Sequence, residues 1–269
     1  MTMRLFRSYL VSSLIFLTCT SVFASPTPPR SRLDHNGVKY PWSIGIGGIF
    51  TLNAYKDTKN TYLVLPFIGY RGERLSINGP MVAYKVIKTK TFTLSGQAYL
   101  FPEKFSPHDS TDPKLRQLNP RHYSLMTGLK TTYNVSQLQR LSLSLSRSMI
   151  GATNGYSTIG QYQLTIPIFS HNGLTLIQPG VGVSWQSKKL VDYYYGITPS
   201  ETAKSTLQTY QPRSAFLPMA SLSLAYIYKK RWSALLLIKT TRLPNAIYHS
   251  PMVDKRYLTS CVIVFSYLF

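Results

Sequence analysis

The chain has 269 residues, with 30 Lys and Arg against 9 Asp and Glu, and its formal net charge is +21. Beyond the N-terminal region no run of about 18 consecutive apolar residues occurs, so the sequence excludes a membrane-spanning helix there. Two cysteines, Cys19 and Cys261, are too few for a cysteine-rich fold.

The first 24 residues predict a secretory signal peptide. A short basic start (1–7), an apolar stretch (9–23) and the sequence Val22-Phe23-Ala24 give the three expected parts, with cleavage after residue 24. Cleavage removes Cys19 and leaves Cys261 as the one thiol, so we expect neither an intramolecular disulfide nor a zinc site built on paired cysteines. It also removes two basic residues, which leaves a net charge of +19.

Export from the cytoplasm limits which acidic molecules such a basic chain can bind. Nucleic acid is the usual partner of a basic protein, but it lies in a different compartment, so we predict no nucleic-acid binding. The remaining candidates are lipopolysaccharide phosphates and anionic cell-wall polymers, which a large positive charge attracts over long range. A generally basic proteome explains the charge equally well.

The predicted mature chain begins with a Pro-rich, polar lead segment, residues 25–36, and continues as one strand-rich domain, residues 37–269. Eleven segments place apolar side chains at every second position, with mostly small or polar residues between them. This is the pattern of an antiparallel transmembrane β-barrel, all-β, with its apolar side toward lipid. The apolar registers begin, in chain order, at Trp42, Leu63, Val82, Phe92, Tyr123, Leu141, Tyr162, Val181, Leu222, Trp232 and Cys261.

Bacterial barrels usually have an even number of strands, so eleven segments leave one strand unassigned. We predict twelve strands, the missing one lying near Leu33–Tyr40 or between residues 62 and 100, with ten strands as the alternative. After residue 100 long and short connections alternate. The long ones, expected outside the cell, are 101–121, 149–156, 187–214 and 242–256; the short ones, expected in the periplasm, are 135–139, 170–173 and 229–231. The sequence Thr198-Pro199-Ser200-Glu201 predicts a short helix in the extracellular loop 187–214.

The final strand is the most informative segment. Its aromatic and apolar side chains alternate up to Phe269, and a soluble protein rarely leaves such a strand as an exposed edge. A barrel closes on it. We expect Phe265, Tyr267 and Phe269 to form the signal by which the barrel is recognised for assembly in the Gram-negative outer membrane.

Enzymatic chemistry has a weak signal. His122 and His249 fall near predicted extracellular strand ends, and Ser250 and Asp254 share a loop, so a triad like that of a lipid-modifying barrel hydrolase could be assembled. However, no Gly-x-Ser-x-Gly elbow, metal-ligand spacing or nucleotide-binding motif is present. We therefore predict no enzyme, no catalytic residue, no metal and no cofactor.

Four stretches resemble a known family. They are Leu65-Pro66 with Arg74-Leu75 and Gly79; Trp185 with Tyr194-Tyr195-Gly196-Ile197, Ser200 and Ala203; Ser250-Pro251-Met252-Val253; and the final strand to Phe269. In order and spacing they resemble the MltA-interacting protein (MipA/OmpV) family of outer-membrane proteins over residues 40–269. The chain differs from the usual family pattern in its high positive charge and in ending Tyr267-Leu268-Phe269 where members usually end Tyr-Arg-Phe.

The resemblance implies a scaffold for peptidoglycan synthesis and hydrolysis, with a lytic murein transglycosylase and a penicillin-binding synthase as partners, beside outer-membrane lipid and lipopolysaccharide. Family members described as porin-like or adhesive give the alternative, which the inward-facing Lys85, Lys130 and Lys239 would suit. The candidate interaction residues are Lys229, Lys230 and Arg231 in a periplasmic turn, and Tyr194 and Tyr195 in an outer loop. For the loop tyrosines, packing onto the barrel mouth is the alternative that we favour.

Overall fold

The computed structural model describes residues 40–152 and 154–269, and the predicted signal peptide and lead segment lie outside this part. The strands are β1 (Trp42–Leu52), β2 (Thr61–Arg71), β3 (Leu75–Asn78), β4 (Met81–Lys88), β5 (Phe92–Phe101), β6 (Ser124–Asn134), β7 (Gln139–Ile150), β8 (Tyr156–Leu164), β9 (Ile166–Ser170), β10 (Gly173–Gln186), β11 (Ala215–Tyr228), β12 (Trp232–Arg242) and β13 (Tyr257–Leu268).

These segments form one closed antiparallel barrel. Each pairs with its neighbours in chain order, and β13 pairs with β1 from Ser43↔Leu268 to Leu52↔Thr259, which closes the ring. The segments β8 and β9 both pair with β10 and are separated only by Thr165, so they count as one interrupted strand. The barrel therefore has the twelve strands that the sequence predicts.

The strand that the alternation pattern did not show is β3. It lies between residues 62 and 100, one of the two predicted places. It has only four residues, Leu75–Asn78, and a tight turn at Gly79 and Pro80 joins it to β4. A segment this short contains too few alternating positions to be recognised as a strand.

Side chains alternate between lipid and lumen along the walls. On β13, Phe265 is 58% exposed and Val264 is 4% exposed. This places the apolar register of the final strand on the outer surface, as predicted, with Cys261 on the same side.

The predicted orientation of β2 is wrong. Leu63, Leu65 and Phe67 face the lumen, whereas Tyr62 and Val64, 73% and 69% exposed, face outward. Both registers of this strand are apolar, so alternation alone cannot decide between them. The inner wall is apolar here because Phe67 packs against a small buried cluster of Leu237, Val262 and Val264 from β12 and β13.

The lumen is mostly polar and has one apolar patch, formed by this cluster. Its polar part contains buried Ser and Gln side chains from β5 to β11: Ser95, Gln97, Ser144, Ser146, Ser148, Ser157, Gln163, Gln178, Ser184, Gln186 and Ser223. The expectation of a lumen lined mostly by small polar residues therefore holds outside the inward face of β2 and the apolar cluster around Phe67, Leu237 and Val262.

The helices are short and lie in the long connections: α1 (Lys188–Tyr195), α2 (Pro199–Ser205) and α3 (Asn245–Tyr248), with single 3-10 turns at Pro107–Asp109 and Leu115–Gln117. The predicted helix is α2. Thr198 and Glu201 form its capping box, which pairs orphan N–H groups of the first turn with side-chain oxygens. No helix of the described residues has the length and apolar character needed to span a membrane.

Candidate functional site: the loop cap and the basic turn face

The long connections pack against one another over one end of the barrel. We call residues 53–60, 102–123, 187–214 and 243–256 the loop cap. Its core is a cluster of buried apolar and aromatic side chains that also reaches the adjoining strand ends. Those from the cap itself include Tyr55, Phe105, Leu115, Leu118, Leu190, Val191, Tyr194, Tyr195, Ile197, Leu243, Ile247 and Met252.

The first cap helix, α1, is fixed by its tyrosines. Tyr194 and Tyr195 are 0% and 2% exposed. The Tyr194 hydroxyl lies 2.8 Å from Ser124 Oγ on β6, and Tyr55 donates a hydrogen bond of 3.3 Å to the Tyr194 carbonyl oxygen. From the last loop, Ser250 Oγ donates to the Tyr195 carbonyl oxygen at 2.6 Å. These two predicted interaction residues are therefore in the cap interior and are not presented to a partner in this conformation.

A buried ion pair ties two cap loops together. Arg121 Nη2 lies 2.7 Å from Glu201 Oε1, and both side chains are buried. The same arginine donates to the carbonyl oxygens of Asn119 and Gly196, at 2.9 and 3.2 Å. Burial disfavours ionisation of Glu201, but hydrogen bonds from the main chain at Thr198 and Asn119 and the Arg121 guanidinium outweigh it and lower its pKa. The pair is a structural clamp of the cap.

A second buried carboxylate, Glu103, lies at the start of cap segment 102–123, and sequence reasoning did not single it out. Burial raises its pKa to about 7, against hydrogen bonds from Tyr195 and Gln186 and the charge of Lys239. Its Oε2 atom is buried and has no hydrogen-bond partner in the described residues. Sequence alone gave no signal for it, because Pro102-Glu103-Lys104 looks like an ordinary solvated loop.

The cap does not assemble a catalytic triad. His249 is exposed, whereas the neighbouring Ser250 is buried and its hydroxyl is hydrogen-bonded to the Tyr195 carbonyl oxygen. His122 is exposed, and its main-chain N–H donates to the Tyr193 hydroxyl at 3.0 Å. Among the described residues no group of three or more His, Cys, Asp or Glu side chains could hold a metal ion.

The opposite end of the barrel carries a different charge. Six exposed basic side chains lie in or beside its short turns, and we call them the basic turn face: Arg74, Lys88, Lys90, Lys229, Lys230 and Arg231. One acidic residue, Glu73, lies among them. The other acidic residues of the described chain all belong to the cap or to the loop end: Asp57, Glu103, Asp109, Asp112, Asp192, Glu201 and Asp254.

The three cations of the β11–β12 turn are not equivalent. Arg231 is tied to the barrel, because its Nη1 donates to the Tyr267 hydroxyl at 2.7 Å and its guanidinium lies 5.2 Å from the Tyr40 ring centroid. Lys229 and Lys230 are exposed and have positive φ angles of 46° and 61°. The turn therefore has two exposed lysines, of which Lys229 has its Nζ 5.2 Å from the Tyr228 ring centroid, beside one arginine that braces the final strand.

Comparison with known proteins identifies the family. The family model described as MltA-interacting protein MipA matches residues 44–269. The chain belongs to this family. It is 31% identical to the MltA-interacting protein of Escherichia coli over 218 residues, which cover 80% of this chain and 85% of that protein. It is 22% identical to the outer membrane protein OmpV of Vibrio cholerae, over 89% of this chain and 92% of that protein.

As a MipA-family member with outer-membrane relatives and a closed barrel, this protein resides in the outer membrane. Long barrel loops face the cell exterior and short turns face the periplasm. The loop cap is then extracellular and the basic turn face is periplasmic. Two of the family-like stretches meet inside the cap, where Ser250 is hydrogen-bonded to Tyr195.

The residues predicted as the assembly signal lie at the seam of the barrel. Phe269 and Trp42 exchange main-chain hydrogen bonds of 3.0 and 3.2 Å, so the last residue extends the pairing of β13 with β1. Phe265 and Phe269 are 58% and 54% exposed on the outer surface, and the Tyr267 ring contacts Trp232 at 4.9 Å between centroids. Recognition of these residues during assembly stays a prediction.

Proposed function

We propose that this protein is an outer-membrane scaffold that holds peptidoglycan machinery against the periplasmic end of the barrel. The observation that carries the proposal is the separation of charge along the barrel axis. The basic turn face has six exposed cations and one carboxylate, whereas the loop cap mixes both signs. A surface of one sign attracts acidic partners and increases their local concentration.

The partners that we propose follow from the family and the compartment. A relative named for its interaction with MltA supports a lytic transglycosylase as one partner. A penicillin-binding synthase is the second, because a scaffold that couples murein hydrolysis to synthesis must bind both. Anionic cell-wall polymer and lipopolysaccharide are the acidic ligands that a basic barrel would meet at its two ends.

The construction of the cap favours a scaffold over the porin-like alternative. A solute that crossed the barrel would have to pass a layer of side chains in which Leu190, Val191 and Tyr194 are all 0% exposed. Enzymatic function also has little support, since the one serine of the supposed triad, Ser250, is engaged in main-chain hydrogen bonds.

The docking test removes charge without altering the turn. In the variant Lys229→Asn with Lys230→Gly, both residues accept the positive φ angles that the turn requires. The control, Lys188→Gln with Lys189→Gln, removes the same charge from the exposed side of α1 at the extracellular end. Arg231 is left unchanged because it braces Tyr267.

We expect the turn variant to bind purified sacculi and the lytic transglycosylase about tenfold more weakly, with a smaller dependence on salt, while the control binds like the wild type. Binding is measured with the protein in lipid nanodiscs, and the barrel is first checked for normal heat-modifiable migration. Equal binding by all three proteins would contradict a docking role for these lysines. If the wild-type protein binds neither the sacculi nor the lytic transglycosylase, the proposed scaffold function is contradicted.

A further inference from the structure

The wall of the barrel carries positive charge without negative charge. None of the thirteen strand segments in the described chain contains Asp or Glu. The same segments contain eight basic residues: Arg71, Lys85, Lys88, Lys130, Arg140, Arg147, Lys239 and Arg242. A basic side chain that faces the lumen in the periplasmic half therefore has no carboxylate on the strands around it.

Two of these cations face the lumen from neighbouring strands. Lys130 of β6 is paired with Ser95 of β5 and with Ser144 of β7, and both serines are buried inside the barrel. Arg140 of β7 is paired with Gln163 of β8, which is also buried. Directly paired residues of an antiparallel sheet have their side chains on the same face, so both cations point inward. The side chains beside them are neutral hydroxyl and amide groups.

A third cation approaches from the other side of the barrel. Arg71 is the last residue of β2 and continues the inward register of Leu63 and Phe67. In the ring of strands β2 and β7 are separated by β3, β4, β5 and β6, which places them on nearly opposite walls. Arg140 nevertheless has like-charge interactions both with Arg71 and with Lys130. The three side chains therefore come close together within the lumen, and we call Arg71, Lys130 and Arg140 the luminal cluster.

The luminal cluster lies near the periplasmic end of the barrel. Arg71 immediately precedes the turn 72–74, and Arg140 follows the turn 135–138 by one residue. All three residues of the cluster are partly exposed. Because their side chains face inward, this exposed surface borders the interior of the barrel and not the lipid. A small ion can therefore reach the cluster from the periplasm without crossing the loop cap.

Two members of the luminal cluster have no counter-charge. Within the part of the chain that the structure describes, the side chains of Arg71 and Lys130 make neither a hydrogen bond nor an ion pair. Glu73, the carboxylate at this end, is exposed in the turn 72–74. The lead segment 25–36 contains two arginines and one aspartate, so its net charge is also positive. Partly buried charges without a partner are unfavourable, and an anion among them would remove this cost.

We propose that the luminal cluster binds one phosphate group that enters from the periplasm. A phosphate monoester carries about two negative charges near neutral pH, whereas a carboxylate carries one, so phosphate matches three cations better. Guanidinium groups such as those of Arg71 and Arg140 donate paired hydrogen bonds to phosphate oxygens. The hydroxyls of Ser95 and Ser144, on either side of Lys130, are further donors. The group can be free phosphate or part of a larger periplasmic molecule, and this site does not depend on the proposed scaffold function.

The binding test uses inorganic phosphate and acetate, titrated calorimetrically at constant ionic strength into the full-length mature protein in maltoside micelles. We expect one phosphate per barrel and at least about tenfold weaker binding of acetate, which has one charge and two oxygens. In Lys130→Met, which keeps a long side chain and removes its charge, phosphate binding should fall at least about tenfold. Acetate binding as tight as that of phosphate would overturn the assignment to phosphate, and no phosphate binding by the wild type would overturn the site.

The matched control is Lys90→Met, the same substitution at an exposed position in the turn between β4 and β5. It makes the same change in net charge at the same end of the barrel and should bind phosphate like the wild type. Every variant is checked for heat-modifiable migration. Equal weakening by Lys90→Met and Lys130→Met would show a general charge effect and overturn the luminal site. Unchanged binding by a folded Lys130→Met variant would overturn it as well.

Unfolding by denaturant gives a second readout, because a ligand of the folded state raises its stability. Phosphate should raise the unfolding midpoint of the wild type and not that of Lys130→Met, and an equal rise in both would contradict the proposal. Phenyl phosphate then identifies the source: binding as tight as that of inorganic phosphate assigns a group on a larger molecule, and binding of the inorganic ion alone assigns free phosphate. The variant Lys229→Asn with Lys230→Gly should keep its phosphate site, so this proposal and the scaffold fail separately.

Discussion

At the scale of single residues, Glu103 is buried although the residues around it in sequence suggest an exposed loop. Its pKa rises from 4.5 to about 7 because burial penalises the charged carboxylate. The folded protein therefore holds this proton more tightly than the unfolded chain. Its contribution to stability is complete below pH 4.5 and is lost as the pH rises through 7.

We expect the wild-type barrel to lose about 3 kcal/mol of unfolding free energy between pH 5 and 8 from this group alone, and Glu103→Gln to remove that loss. Denaturant unfolding in lipid vesicles across this range measures it. Glu201 does not interfere, since its lowered pKa keeps it ionised there. The control Glu73→Gln changes an exposed carboxyl at the opposite end and should leave the pH dependence as it is. An unchanged slope in Glu103→Gln would show that the buried carboxyl is not its source.

At the scale of elements, the loop cap is held by the pair Arg121 and Glu201. Replacing Arg121 with Met leaves a buried carboxylate without its cation, and breaking such a pair costs about 3–5 kcal/mol. The hydrogen bonds and the ion pair of Arg121 and Glu201 are all made to cap residues and none to the barrel strands. The cap should therefore open locally while the barrel stays folded. Proteolysis within 187–214 should become at least about tenfold faster, with normal heat-modifiable migration.

The double variant Arg121→Met with Glu201→Leu removes both charges and should recover much of the protease resistance. Equal protease sensitivity of the single and double variants would mean that the loop is held by its apolar packing and not by the ion pair. Lys56 and Asp112, 3.4 Å apart with Lys56 partly in solvent, give the comparison for an exposed pair. Lys56→Met should have little effect.

At the scale of the whole molecule, the sequence was sufficient for the barrel, its twelve strands and its long and short loops. Most wall strands have one clearly apolar register that faces lipid, and in the closing strand it runs from Cys261 to Phe269. The orientation of β2 was not predictable, because Leu63 and Val64 are equally apolar and the choice depends on the cluster across the lumen.

The functional features needed the three-dimensional fold. Glu103 and Tyr195 are 92 positions apart in sequence, and only the cap packing brings their side chains together. The four-residue strand β3, which pairs with β2 only at Gly69, Tyr70 and Arg71, is not revealed by any periodicity. By contrast, the basic turn at Lys229, Lys230 and Arg231 was predictable from sequence, because the charged side chains of a three-residue turn between strands are exposed to solvent.

Single-channel conductance in planar bilayers is the measurement that decides most directly between a capped scaffold and a channel. We expect the wild-type protein to give no stable conductance steps, because the loop cap has a packed interior in which Leu190, Val191 and Tyr194 are fully buried. Arg121→Met, with its cap loosened, should give intermittent steps and so show that inserted protein is detected. Stable, ion-selective steps from the wild type, at the frequency expected for the amount inserted, would contradict the capped barrel and favour a porin.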